Sequence, residues 1–136
     1  MPKILIVGGG YAGFYTAWKL EKHLRKGEAE VTMVDPLPYM TYQPFLPEVA
    51  AGSIEARHSV VAHRRHLKRT NVLTAKVTNI NHAEKTATIT PPVGDPYEFS
   101  YDQIVVTAGA VSRTFPIPGI ADNAIGLKTI EEAVAI

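Results

Sequence analysis

Three glycines and one aspartate near the N-terminus have the residue types and spacing of a dinucleotide-binding site. Gly8, Gly10 and Gly13 match the pattern Gly-x-Gly-x-x-Gly, and Asp35 follows them by about 20 positions, the spacing of a carboxylate that hydrogen-bonds a ribose hydroxyl. The first glycine permits a tight exit from a strand, and the second lets a pyrophosphate approach the backbone. The third lets the following helix pack closely against the sheet.

Such a glycine pattern alone is weak evidence, because turns are rich in glycine in any case. The alternative is an ordinary glycine turn, with Asp35 as a solvated strand end. The flanking elements favour binding: Lys3–Val7 reads as a buried parallel strand, a helix is expected to about Lys26, and a second strand over Val31–Asp35. The helix N-terminus would then present N–H groups and the positive end of its dipole to phosphates.

Composition limits the remaining function classes. The 136 residues amount to about one domain, and the hydrophobic fraction of 46% and charged fraction of 20% are those of a globular protein. A net charge of +1 gives no reason to expect a nucleic-acid partner. The chain has no cysteine, which excludes disulfides, thiolate metal sites and dithiol chemistry. We expect a cytoplasmic protein, because no signal peptide precedes the first strand and no apolar run approaches the ~20 residues of a membrane span.

Downstream patterns predict a parallel sheet with an inserted antiparallel meander. The segment Tyr39–Gly52 is irregular and unusually apolar, with a short helix opened by Pro47, so either a flat cofactor or ordinary core packing should cover it. The meander is predicted from strand-like runs at Asn71–Ile80, Thr86–Thr90 and Tyr97–Tyr101. Ile104–Thr107 is predicted to return as a buried parallel strand. The fold class is therefore α/β, Rossmann-like.

Two other segments have simpler interpretations. Residues 53–70 are rich in Arg, Lys and His, and a solvated face is favoured there over contact with an anion or a partner. The histidines of this segment are not accompanied by an acid or cysteine at metal-ligand spacing, so no metal site is expected. Thr129 and Glu132 form a capping box that opens a last, short helix. That helix stops without a typical C-cap, so we expect the chain to be part of a longer protein.

The chain resembles the N-terminal part of the two-dinucleotide-fold flavoprotein reductases, and among these the type II NADH dehydrogenases, which are NADH:quinone oxidoreductases. The similarity covers essentially all residues and rests on the stretches Ile4–Gly13, Glu30–Asp35, Tyr42–Gly52, Tyr101–Gly109 and Pro116–Gly119. The Gln-Pro-x-Leu-x-x-Val-Ala element within Tyr42–Gly52 is what points to the type II enzymes.

The resemblance implies FAD as the cofactor and assigns roles to individual residues. The FAD pyrophosphate would be held by Gly8, Gly10, Tyr11, Ala12 and Gly13. Asp35 would contact the adenosine ribose, and the backbone of Val77 would contact the adenine. Ala108 and Gly109 would belong to the stretch that closes over the cofactor. The flavin would lie near Gln43 and Pro44. No residue stands out as a general acid or base.

The resemblance also implies what the whole protein does and which parts lie outside this chain. Residues 1–136 would be the N-terminal portion of an FAD-binding domain, and an NAD(P)H domain, the rest of the FAD domain and a membrane-binding segment would follow. The whole protein would pass two electrons from NAD(P)H to a quinone, bound peripherally at the inner face of the membrane. The isolated chain would be inactive and prone to self-association through the uncovered Tyr39–Ala51 loop. The alternatives are a ferredoxin-reductase or apoptosis-inducing-factor type flavoprotein, or a non-catalytic nucleotide-binding module.

Overall fold

The computed structural model describes all residues 1–136, which form two compact units. The sheet unit contains Met1–Met40 and Ala62–Gly109, and the second unit contains Thr41–Val61 and Ala110–Ile136. The strands are β1 (Lys3–Val7), β2 (Glu30–Asp35), β3 (Tyr39–Thr41), β4 (Val60–Ala62), β5 (Asn71–Thr74), β6 (Lys76–Asn81), β7 (Thr86–Thr90), β8 (Tyr97–Ser100) and β9 (Gln103–Val106). The α-helices are α1 (Tyr11–His23), α2 (Leu46–Ala50), α3 (His63–His66), α4 (Ile120–Asn123) and α5 (Ile130–Ala135), and Gln43–Phe45 and Ala56–Ser59 are 3-10 turns.

A four-stranded parallel sheet forms the centre of the sheet unit, as the sequence predicts. Its strand order is β5-β2-β1-β9, and every pairing is parallel. Leu5 and Ile6 of β1 and Met33 of β2 are completely buried, because central parallel strands are covered on both faces. The carboxyl ends of β1, β2 and β9 therefore meet at one edge of the sheet, where open α/β sheets bind ligands.

The antiparallel meander is also confirmed, with the order β6-β7-β8. The prediction of one strand over Asn71–Ile80 is wrong, because β5 joins the parallel sheet and β6 joins the meander. The break falls at Ala75, a buried residue whose N–H donates to the carbonyl of Asp35 at 2.9 Å. Ala87 and Ile89 of β7 are buried against Leu5 and other residues of the sheet, so the meander completes the hydrophobic core.

Helix α1 ends at His23 and does not continue to Lys26 as predicted. The Leu24 N–H still donates to the Leu20 carbonyl, but the next N–H, that of Arg25, donates to the carboxylate of Glu28 at 2.8 Å. This local side-chain bond competes with the helical pattern and starts a turn. Gly27 lies in that turn at φ +83°.

The second unit is built on the contact between α2 and α5. Leu46 and Val49 of α2 are buried together with Ala133 of α5. The predicted capping box is confirmed: Thr129 Oγ1 accepts from the Glu132 N–H, and the Glu132 carboxylate accepts from the Thr129 N–H, both at 3.1 Å. The apolar loop is therefore covered at Leu46 and Val49 by α5.

The longest helix of the structure, α1, has 13 residues. None of the helices has the length and apolar character needed to cross a membrane.

Candidate dinucleotide-binding site

The turn between β1 and α1 is closely packed at its first and third glycines. Gly8 has φ +102°, and a Cβ there would lie 2.3 Å from the carbonyl oxygen of Thr107. A Cβ on Gly13 would lie 1.7 Å from the carbonyl oxygen of Gly8. The Gly8 N–H donates to the Val34 carbonyl at 2.8 Å, which fixes the turn to the end of β2. Both positions therefore accommodate only glycine.

The middle glycine has different surroundings. Gly10 is the N-cap of α1 and has an ordinary φ of −75°. A Cβ there would have no atom within 4 Å, and no side chain caps this end of the helix. The first helical hydrogen bond runs from the Phe14 N–H to the Gly10 carbonyl at 2.8 Å. The N-terminus of α1, with exposed Tyr11 and Ala12, thus faces open space in which an anion can approach the backbone.

Asp35, the last residue of β2, lies directly beside the turn. Its Oδ2 accepts from the Gly9 N–H at 2.7 Å, and its Oδ1 accepts from the Leu37 N–H at 2.8 Å. The side chain is half-buried, and each carboxylate oxygen can accept a further hydrogen bond. Asp35 therefore holds the turn in place and keeps the capacity to accept a ribose hydroxyl.

The stretch after β9 is also fixed to the turn. The Thr107 N–H donates to the Val7 carbonyl at 2.8 Å, and the Thr107 hydroxyl lies 2.9 Å from the Val7 carbonyl oxygen and 3.0 Å from that of Gly8. Ala108 and Gly109 follow directly and are exposed. Sequence reasoning did not assign a role to Thr107, although a hydroxyl residue directly after a parallel strand is a usable signal for such an anchor. The prediction that Ile104–Thr107 is a buried strand is wrong, because β9 is only half-buried at Ile104 and Val105 and is exposed at Val106.

The remaining predicted residues lie in different places. Val77 is half-buried in β6, where it packs on the core cluster and pairs with Ile89 just before a shift in register. Gln43 and Pro44 are exposed residues of a 3-10 turn in the second unit, where the Gln43 side-chain amide lies 3.4 Å from the Lys128 carbonyl oxygen. The structure thus brings Gly8–Gly13, Asp35 and the start of the Ala108–Gly109 stretch together within the sheet unit.

His63 is a residue of this site that the sequence analysis missed. Most charged residues of the 53–70 segment are exposed, as predicted, but His63 is completely buried. Its Nε2 lies 2.7 Å from the Gly9 carbonyl oxygen, and burial lowers the pKa of its imidazole below the ordinary value of 6.5. The apolar strand β4, which directly precedes it, was the available signal. No group of three or more His, Asp or Glu side chains is arranged to hold a metal ion.

A cavity of about 670 Å³ lies elsewhere in the sheet unit, lined by Leu20, Leu24 and Val31 among others. It lies at the amino end of β2, whereas ligands of open α/β sheets bind at the carboxyl ends of the strands. The guanidinium of Arg69, the most basic group on its wall, already donates to the carbonyls of Glu21 and Leu24. We therefore place the candidate site at the glycine turn.

The chain is similar to known oxidoreductases over almost its whole length. Residues 2–136 match the family described as pyridine nucleotide-disulphide oxidoreductase. The chain is 36% identical to the external alternative NAD(P)H-ubiquinone oxidoreductase B2 of Arabidopsis thaliana mitochondria, over 98% of this chain and 24% of that protein. It is 32% identical to the type II NADH:quinone oxidoreductase of Staphylococcus haemolyticus, over 96% of this chain and 32% of that protein.

Solved structures give the same result. The structure of NDH2 from Plasmodium falciparum in complex with NADH superimposes with a TM-score of 0.87 and 25% identity, covering 99% of this chain and 28% of that one. The predicted resemblance to type II NADH:quinone oxidoreductases and the predicted fold class are thereby confirmed. The chain spans about a quarter to a third of the length of these relatives.

Proposed function

The chain belongs to the pyridine nucleotide-disulphide oxidoreductase family, and on that premise we propose that its sheet unit binds the adenosine diphosphate half of FAD. The observation that carries the proposal is the uncapped N-terminus of α1, which faces open space at Gly10 with the Asp35 carboxylate beside it. These groups match the two polar parts of the ligand, an anionic pyrophosphate and a ribose with free hydroxyls.

Each part of the site has a defined task in this proposal. Backbone N–H groups at the start of α1, from Tyr11 to Gly13, donate to the pyrophosphate, and the helix dipole favours its negative charge. Asp35 accepts from a ribose hydroxyl through the lone pairs that Gly9 and Leu37 leave open. The Val77 backbone contacts the adenine, and Ala108 and Gly109 cover the cofactor.

For the whole protein we propose transfer of electrons from NAD(P)H to a quinone. The support is the activity for which the relatives from A. thaliana and S. haemolyticus are named. Residues 1–136 would then be the N-terminal portion of the FAD domain, with the NAD(P)H domain supplied by the rest of the protein. The bound flavin supplies the redox chemistry. A quinone acceptor places the whole protein at a membrane surface.

Two substitutions at Gly10 test FAD binding, because they separate binding from folding. Aspartate and asparagine are both favourable N-cap residues, so Gly10→Asp and Gly10→Asn should keep or raise the melting temperature. Each fills the space that the pyrophosphate needs, and aspartate also places a negative charge there. We expect the wild-type chain to bind FAD and ADP. Both ligands should bind Gly10→Asp at least about tenfold more weakly than Gly10→Asn, because two like charges at ~4 Å repel by up to ~4 kcal/mol near a protein surface.

Titration calorimetry with FAD and with ADP gives the affinities. Ala83→Asp, on the exposed loop between β6 and β7, is the matched control for an added charge and should bind as the wild type does. Failure of the wild type to bind either ligand, or equal affinity in Gly10→Asp and Ala83→Asp, would reject the proposal. Binding of ADP without binding of FAD would show that the site takes a nucleotide but not the flavin dinucleotide.

A further inference from the structure

The buried histidine beneath the glycine turn has one hydrogen-bonded nitrogen and one without a partner. His63 is the first residue of α3 and has no exposed surface. Its Nε2 lies 2.7 Å from the Gly9 carbonyl oxygen, and because a carbonyl only accepts, Nε2 must carry the hydrogen. The other nitrogen, Nδ1, is buried and has no hydrogen-bond partner. The imidazole is therefore neutral, with its unprotonated nitrogen in an enclosed position.

The Gly9 peptide is held from two sides. Its N–H donates to Asp35 Oδ2 at 2.7 Å, and its carbonyl accepts from His63. The packing there is close, since a Cβ on Gly9 would lie 2.6 Å from His63 Cε1 and 3.1 Å from Met33 Cε. The Phe14 ring of α1 stacks on the imidazole, with ring centroids 6.1 Å apart and planes 26° apart. The imidazole therefore contacts both the turn and the helix that would receive the pyrophosphate.

We propose that His63 is a positioning residue for the dinucleotide, which holds the Gly9 peptide in the binding conformation only while its imidazole is neutral. The inference rests on the proposed function and adds a pH dependence to it. A second proton would place an N–H at Nδ1, where no acceptor exists, and a positive charge in the core. The ring would then turn toward water and release Gly9, so FAD affinity should fall in mildly acidic solution.

The charged groups around His63 act in opposite directions. Burial is the largest influence and lowers the pKa of His63, while the Gly9 hydrogen bond and the charge of Asp35 on β2 raise it and the charge of Arg64 on α3 lowers it. Helix α1 presents the apolar Phe14 ring, whose edge also contacts His66. Because burial outweighs the two raising influences, the pKa of His63 lies below its ordinary value of 6.5 and the neutral form predominates at pH 7.

The test compares FAD affinity from pH 5.5 to 8 in four proteins. The side-chain amide of His63→Gln can donate to Gly9 in place of Nε2 but does not titrate, whereas His63→Leu fills the space without a donor. The third variant, His58→Gln, replaces an exposed histidine of the same basic segment and serves as the control. FAD is the suitable probe because its pyrophosphate, substituted at both ends, does not titrate in this range as the terminal phosphate of ADP does.

Clear outcomes follow for each variant. At pH 7.5, His63→Leu should bind FAD about tenfold more weakly than the wild type, because it lacks one hydrogen bond to the turn. The affinity of His63→Gln should lie within about threefold of the wild-type affinity. Affinity should fall on acidification in the wild type and His58→Gln and stay level in His63→Gln. The inference would be overturned, with FAD binding left intact, if affinity in His63→Gln falls in acid as it does in the wild type, or if wild-type affinity stays level or rises in acid. No FAD binding by the wild type at any pH would overturn the proposed function and this inference together.

A second measurement covers the case in which His63→Leu fails to fold. In the ligand-free chain, the amide ¹⁵N–¹H signal of Gly9 should shift with pH in the wild type, following the His63 ring, and remain fixed in His63→Gln. A Gly9 signal that titrates in both proteins would show that another group controls the turn.

Discussion

Replacing Asp35 by asparagine should weaken FAD binding and destabilise the fold together, because one carboxylate serves both. Its Oδ2 accepts from the Gly9 N–H and its Oδ1 accepts from the Leu37 N–H. Asparagine keeps one acceptor oxygen and replaces the other by an NH₂ group, which cannot accept. One of the two backbone N–H groups therefore loses its partner, and the remaining acceptor must serve the other N–H and the ribose.

The size of the effect follows from the number of bonds lost. A hydrogen bond to a charged group contributes about 1.5–3 kcal/mol, and because Asp35 is only half-buried we expect a loss near the lower limit, about 1–2 kcal/mol of unfolding free energy. The ribose contact is of the same kind, so FAD affinity should fall by about 1–3 kcal/mol, or roughly 5- to 150-fold. Asp35→Ala removes both oxygens and should lie at the upper end of both ranges.

Urea unfolding gives the stability change and titration calorimetry the affinity. Asp95→Asn, an exposed carboxylate in the segment before β8, is the matched control and should change neither quantity. If Asp35→Asn loses stability but binds FAD with unchanged affinity, Asp35 only supports the turn and its assignment to the ribose is wrong. If neither quantity changes, the contacts of Asp35 with Gly9 and Leu37 contribute nothing and the reasoning from them fails.

Three further outcomes are expected. Burial raises the pKa of the Glu21 carboxyl, but hydrogen bonds from the backbone N–H groups of Arg69, Lys68 and Thr70 and from the Thr70 hydroxyl lower it further, so the net pKa is lowered. The stabilisation of the fold by Glu21 is therefore fully present above about pH 4.5 and is lost as the pH falls through the folded-state pKa. In Glu21→Gln, the urea concentration at the unfolding midpoint should therefore depend less on pH in that acid range. A pH dependence equal to that of the wild type would show that Glu21 does not cause the acid loss of stability. The chain with added FAD should not oxidise NADH above the rate of free flavin in an absorbance assay at 340 nm, because the proposed NAD(P)H domain lies outside it. Light scattering should show a mass that rises with concentration, because Tyr42, Phe45 and other apolar side chains remain exposed; a constant monomer mass would reject self-association.

The elements predicted correctly are those whose signals are local. The strand Lys3–Val7, the glycine turn and the capping box at Thr129 each depend on residues within one short window, and all three are present. The errors come from points where an element ends although the sequence pattern continues. At Ala75 the chain leaves the parallel sheet for the meander. At the end of α1, the carboxylate of Glu28 accepts from the Arg25 N–H. Neither end can be seen in periodicity, because strand-forming residues continue past Ala75 and helix-forming residues continue past His23.

The burial of His63 bears on how the glycine motif should be interpreted. The pattern Gly-x-Gly-x-x-Gly leaves position 9 unspecified, yet the imidazole beneath it leaves no space for a Cβ. The groups that hold the turn, which include Asp35, His63 and Thr107, all lie outside the motif in sequence. Under the proposed function, a turn held in advance would lose less conformational freedom when the dinucleotide binds, so these contacts would contribute to affinity without touching the ligand. On that proposal, the motif indicates where the dinucleotide would bind, whereas its affinity would also depend on side chains that the motif does not contain.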